Sequence, residues 1–260
     1  MSQKIRDILS RKKAFIPYIT VGDPNLDITL SVLKSLSDNG ADIIELGVPF
    51  TDPIADGPTI QKATERALQN PFNMEDIFEL VSHFRSEGYE TPILLMSYAN
   101  PVFVMGYEVF AKKAVEAGVD AALLTDLPPE EADDHLKAAS NHGLGTVFLC
   151  SPTTTLERLK MIDDASSAFV YYVARAGVTG VQSELPKDVE AKLRDLKSSF
   201  SNPLCVGFGI STPDQVKTLK DHADGIIVGS AIVKMFENHE GQDLLNAVGD
   251  FTKKMAGALS

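Results

Sequence analysis

Cysteine is scarce in this chain of 260 residues, with Cys150 and Cys205 the whole supply. Two are too few for a disulfide framework, and they match no metal-ligand spacing. Positive charge is also in short supply: 24 Lys and Arg stand against 36 Asp and Glu, a net charge of −12. A nucleic-acid binder needs clustered basic residues to meet the phosphates, so that class is set aside. Adsorption to an anionic membrane surface is set aside with it. No apolar run approaches the roughly 18 residues that span a bilayer. The first residues, MSQKIRDILSRKKAF, hold neither a continuous apolar signal core nor a small-residue cleavage site. With 18 glycines and 14 prolines, the chain is also far from collagen-like or low-complexity composition. The expectation is an acidic, soluble, cytoplasmic protein forming a single domain over residues 1–260.

What the sequence does have is alternation. Short apolar runs stand at Ala14–Thr20, Asp42–Leu46, Pro92–Ser97, Asp120–Thr125, Gly145–Cys150, Ala168–Ala174, Pro203–Phe208 and Gly225–Ser230. They are continuous rather than alternating, as parallel strands buried on both faces should be. Between them lie helical patterns such as 25–39, 106–117, 129–142 and 212–222, and the stretch from Ser230 to Leu259 reads as one or two closing helices. Thr212 before Pro213 is a cap followed by a first-turn proline. A faint internal echo marks three of the units: NGAD before Ile43, AGVD before Ala121 and HADG before Ile226. Eight βα units without a linker favour an α/β fold of the (β/α)₈ TIM barrel type. A doubly wound sheet is disfavoured, because no G-x-G-x-x-G follows the first strand.

In such a barrel the chemistry sits at the C-terminal strand ends. No lysine lies there, so a Schiff-base mechanism lacks its nucleophile. All five histidines fall in helical stretches or at helix ends, away from the mouth. Carboxylates remain: Glu45, Asp52, Asp56 and Asp126, with Asp23 more distant. Glu45 lies inside the apolar run IIELGVPF. Burial there raises its pKa toward neutrality, which suits a group that gives and takes a proton. The plain alternative is a glutamate satisfied by hydroxyls or a buried water. Asp56, in PIADGPT, reads equally well as a turn former, and Asp126 as a helix-start residue. GFGIS after strand seven and GS after strand eight each open a helix, at the two positions where barrels often bind phosphate through backbone N–H groups. Gly177 and Gly180 give the loop after strand six the profile of a hinged lid.

These segments carry a resemblance. ELGVPFTDPIADGPTIQ, Glu45 to Gln61, looks like the signature of the tryptophan synthase alpha chain family. PYITVGDP, SYANPVF, TDLPPEE, ARAGVTG, GFGIS and GSAIVK follow in family order along nearly the whole chain. The resemblance implies a (β/α)₈ barrel that cleaves indole-3-glycerol phosphate into indole and glyceraldehyde 3-phosphate. It implies an α₂β₂ heterotetramer with a beta chain that receives the indole, and pyridoxal phosphate in that beta chain only, with no cofactor or metal in this one. It also implies Glu45 as acid–base residue, Asp56 on the indole N–H and Tyr171 beside both. Gly180, Phe208, Gly209, Ile210, Gly229 and Ser230 fall at substrate positions, most of them holding the phosphate by backbone. Two departures stand out: Tyr18, where the family commonly has phenylalanine, and Ala174, where serine is frequent. A different phosphate-gripping barrel and a subunit that only activates a partner are the other readings.

Overall fold

The computed structural model describes residues 3–173, 189–207 and 209–259. Among these, eight strands form a closed parallel barrel in sequence order. They are β1 (Ala14–Thr20), β2 (Ile44–Gly47), β3 (Ile93–Ser97), β4 (Ala121–Leu124), β5 (Gly145–Cys150), β6 (Phe169–Val173), β7 (Leu204–Gly207) and β8 (Gly225–Val228), and β8 pairs back onto β1. Each lies within an expected apolar run, except that β2 reaches one residue further, to Gly47.

Three runs start later than the hydrophobicity suggests, or start on time for a reason it does not give. Asp42, Asp120 and Asp224, the aspartates of the internal echo, turn their carboxylates to the neighbouring strand. They accept from the backbone N–H groups of Phe15 (2.8 Å), Ile93 (3.0 Å) and Leu204 (3.1 Å). A side-chain carboxylate thus replaces a ladder partner where the strand is only beginning. Each is also paired with a cation: Lys12 on Asp42, Arg85 on Asp120, and both Lys13 and Lys197 on Asp224. The echo is a device for starting strands at the barrel floor.

Side chains alternate between two cores. Phe15 and Ile19 of β1 point outward, into the layer between strands and helices. Ala14 and Ile16 point inward and pack with Ile43, Leu94, Phe169 and Cys205. The inner core also takes Ile5 and Leu9 from the helix Gln3–Arg11, which hydropathy runs alone do not announce. Their i, i+4 spacing puts both on one helix face, and that face closes the floor of the barrel.

The helical expectations need adjustment at their ends. The pattern 25–39 becomes Leu26–Asp38, with Asn25 accepting from the Ile28 N–H at 2.9 Å as its cap. The pattern 129–142 divides into a 3₁₀ turn, Pro129–Glu131, and a helix, Asp133–His142. The pattern 212–222 stops at Leu219, begun by a reciprocal Thr212–Gln215 capping box. The closing stretch is a short helix Ser230–Val233, a 3₁₀ turn and the helix Gly241–Gly257. Among the described residues, no helix is long and apolar enough to cross a membrane.

Candidate active site

At the mouth, the inner layer stops being purely apolar. β1 and β2 are in register with Tyr18 opposite Glu45 and Thr20 opposite Gly47, so all four face the barrel interior. Glu45 is 1% exposed, and its Oε1 has no hydrogen-bond partner among the described residues. That oxygen does not fit a glutamate satisfied by neighbouring hydroxyls. Burial, and secondarily the charge of Asp56, pushes the Glu45 carboxyl up to about 8.

Asp56 arrives from the other side, on the loop joining β2 to the helix Pro58–Ala67. Backbone bonds Ile54 N–H to Asp52 O and Asp56 N–H to Pro53 O fold this loop back on itself. Tyr98, just beyond β3, fastens it. Its hydroxyl accepts from the Ala55 N–H at 3.0 Å and donates to Asp56 Oδ2 at 3.1 Å. Gln61 adds a bond to the Asp56 carbonyl at 2.9 Å. Burial raises the Asp56 carboxyl to about 6, with the Tyr98 bond holding it back. The two carboxyls therefore differ at neutral pH. Glu45 is mostly protonated and Asp56 mostly ionised.

Both line a cavity of about 130 Å³ whose walls are mainly apolar, including Ile60, Met96, Leu123, Leu149 and Ile227. Tyr171 lines it too, from β6, and burial followed by the charge of Glu45 raises its phenol well above the usual range. Gly209, Gly229 and Ser230 close the cavity on the β7–β8 side. Ile210 is also buried, but its side chain belongs to the outer core. Gly180, Phe208 and the loop with Gly177 lie outside the described residues, as does Ala174.

The remaining carboxylates are placed elsewhere. Asp126 accepts from the Ala99 N–H at 2.6 Å, at the start of the helix Ala99–Met105 rather than of the segment that follows it in sequence. Asp52 is exposed and bonded to the Thr51 hydroxyl. Asp23 is held by a two-pronged bond from Arg66 at 2.7 and 2.8 Å. His135 is buried in its helix against Tyr107 and does not line the cavity, and burial lowers its imidazole to about 4. Sequence reasoning passed over Tyr98, Thr20 and Gln61. Tyr98 offered one signal, as a polar aromatic directly after a strand, where barrel side chains turn into the mouth.

A closed (β/α)₈ barrel with two differently poised carboxyls in an apolar cavity at its C-terminal mouth is a TIM-barrel enzyme. The tryptophan synthase alpha chain family profile matches residues 6–258. A tryptophan synthase alpha chain of Legionella pneumophila (strain Lens) is 44% identical over 252 residues, covering 96% of this chain and 93% of that one. A solved tryptophan synthase subunit alpha from Legionella pneumophila str. Paris superposes with a TM-score of 0.90 at 41% identity, covering 98% of each chain. A structure of the tryptophan synthase α₂β₂ complex from Pyrococcus furiosus matches with a TM-score of 0.87 at 41% identity, over 95% of this chain and 99% of that one. The chain belongs to the tryptophan synthase alpha chain family.

Proposed function

We infer that this chain cleaves indole-3-glycerol phosphate into indole and glyceraldehyde 3-phosphate, with Glu45 as the acid–base group and Asp56 as the anion that faces the ring N–H. The observation that carries the assignment is the divergence of the two carboxyls, about 8 and about 6, in one cavity. Groups whose environments drive their pKa values apart take opposite roles. Cleaving a carbon–carbon bond to an aromatic ring requires an electron sink, and the ring itself serves once C3 is protonated. Protonated Glu45 delivers that proton. Ionised Asp56 accepts from the ring N–H and stabilises the resulting cation. The Glu45 carboxylate then takes the proton of the chain hydroxyl as the bond breaks.

The apolar walls suit the ring. The Gly209 and Gly229–Ser230 turns suit the phosphate, because glycine admits the anion close to the backbone N–H groups. Gly180, Phe208 and Ile210 complete that end of the site in this reading. Indole then passes to a beta chain in an α₂β₂ heterotetramer, where pyridoxal phosphate belongs to the beta chain. The setting is the cytoplasm. The α₂β₂ complex of the Pyrococcus furiosus relative supports the partner. Replacing Glu45 by Gln preserves shape and removes the proton. Indole release by the variant should fall about 10²–10⁴-fold. A variant with more than half the original rate would overturn the assignment.

A further inference from the structure

The square of inward positions at the top of β1 and β2 holds an unbalanced set of hydrogen-bonding atoms. Gly47 has no side chain, and the Tyr18 phenol fills the space one would take. A Cβ at residue 47 would lie 2.1 Å from the Tyr18 hydroxyl oxygen. Leaning that way, the hydroxyl meets Thr20 Oγ1 at 3.3 Å, with Tyr18 6% and Thr20 1% exposed. Two hydroxyls carry two protons, and the bond between them uses one. The other has no acceptor among the described residues. Opposite Tyr18 on β2, Glu45 Oε1 is an acceptor without a donor among the described residues. Tyr18 and Glu45 line the same small cavity, so a spare donor and a spare acceptor meet there with no hydrogen bond between them. The ring of the substrate offers nothing to bridge them. A hydroxyl does, since it accepts at its oxygen and donates its proton.

We propose that Tyr18, paired with Thr20, binds the substrate hydroxyl on the carbon joined to the ring and hands its proton edge to Glu45. The proposal rests on the Glu45 assignment above. In the cleavage step the hydroxyl proton moves to Glu45, and an oxygen lone pair closes the aldehyde C=O. The carbon–carbon electron pair returns to the C3-protonated ring, and Tyr18 keeps its own proton. Its bond strengthens as negative charge grows on the departing oxygen, so it acts on turnover more than on binding. Among the described residues, the ionisable groups coupled to Glu45 are Tyr18 from β1, Asp56 from the β2 loop, Tyr171 from β6 and Cys205 from β7. Of these, Tyr18 is the one whose hydroxyl is held in a pair with a spare proton.

Tyr18→Phe, nearly isosteric, isolates the hydroxyl. The full chain should lose about tenfold in kcat for indole release, the scale of one hydrogen bond to developing charge. Its affinity for a substrate analogue lacking the ring-adjacent hydroxyl should stay within twofold of wild type, which also shows the pocket intact. Unchanged kcat overturns the proposal, and so does a parallel loss of analogue binding, which marks a merely structural tyrosine. The Glu45→Gln assay run beside it separates the two ideas. If Glu45→Gln is inactive and Tyr18→Phe is normal, only the Tyr18 role fails.

Discussion

A buried carboxyl with an unpartnered oxygen is expensive to ionise, and for Glu45 that expense falls on the folded state. Its carboxyl titrates near 8 when folded, against an ordinary 4.5. Below about 4.5 both folded and unfolded chains hold the proton, and the group costs nothing. As pH rises from there toward 8 the unfolded chain releases its proton first, so stability declines through that window and levels off above it. Each unit of difference corresponds to about 1.4 kcal/mol. Glu45→Gln removes the titration. The variant should gain on wild type by a few kcal/mol between pH 5 and pH 8, read by denaturant unfolding at the two values. Parallel pH curves would mean that the carboxyl is not desolvated as described. Activity and stability are opposed at this residue: the unpaired burial that makes Glu45 a proton donor at neutral pH also strains the fold.

Among the elements, the turns after β7 and β8 allow a sharper test of the phosphate end. Gly209 has a φ of +63°, in the left-handed region. A side chain there is strained whatever its chemistry, but aspartate tolerates that region better than alanine. Backbone strain therefore predicts that Gly209→Ala is the worse variant, while repulsion of a phosphate predicts that Gly209→Asp is. The expected result is a tenfold or greater rise in KM for Gly209→Asp and a smaller change for Gly209→Ala. The reverse order would move the phosphate elsewhere. At this scale the strands were legible because burial on both faces leaves an unbroken apolar run. Their starting residues were not, since Asp42, Asp120 and Asp224 act by bonding to another strand, a partnership no local pattern displays. Glu45 was legible as a charge inside such a run. Asp56 was legible only through the family resemblance, because its placement depends on Tyr98, 42 residues away along the chain. The helix Gln3–Arg11 escaped notice for a similar reason: its apolar residues Ile5, Ile8 and Leu9 matter only against the barrel floor.

The whole molecule divides into two ends with separate duties. Glu45, Asp56 and the glycine turns lie at the mouth, while Ile5 and Leu9 pack into the inner core at the floor. Leu9→Ala should destabilise the chain by about 2–4 kcal/mol through the cavity it leaves. kcat at a temperature where the variant stays folded should be unchanged. A matching fall in kcat would show that the floor shapes the mouth after all. The same helix has a consequence for traffic. With its floor stoppered among the described residues, the barrel works as a vessel with a neck, and traffic of substrate, aldehyde and indole is turned toward that neck. Whatever seats itself over that neck decides the order in which they come and go, and a partner there becomes a valve as well as a customer.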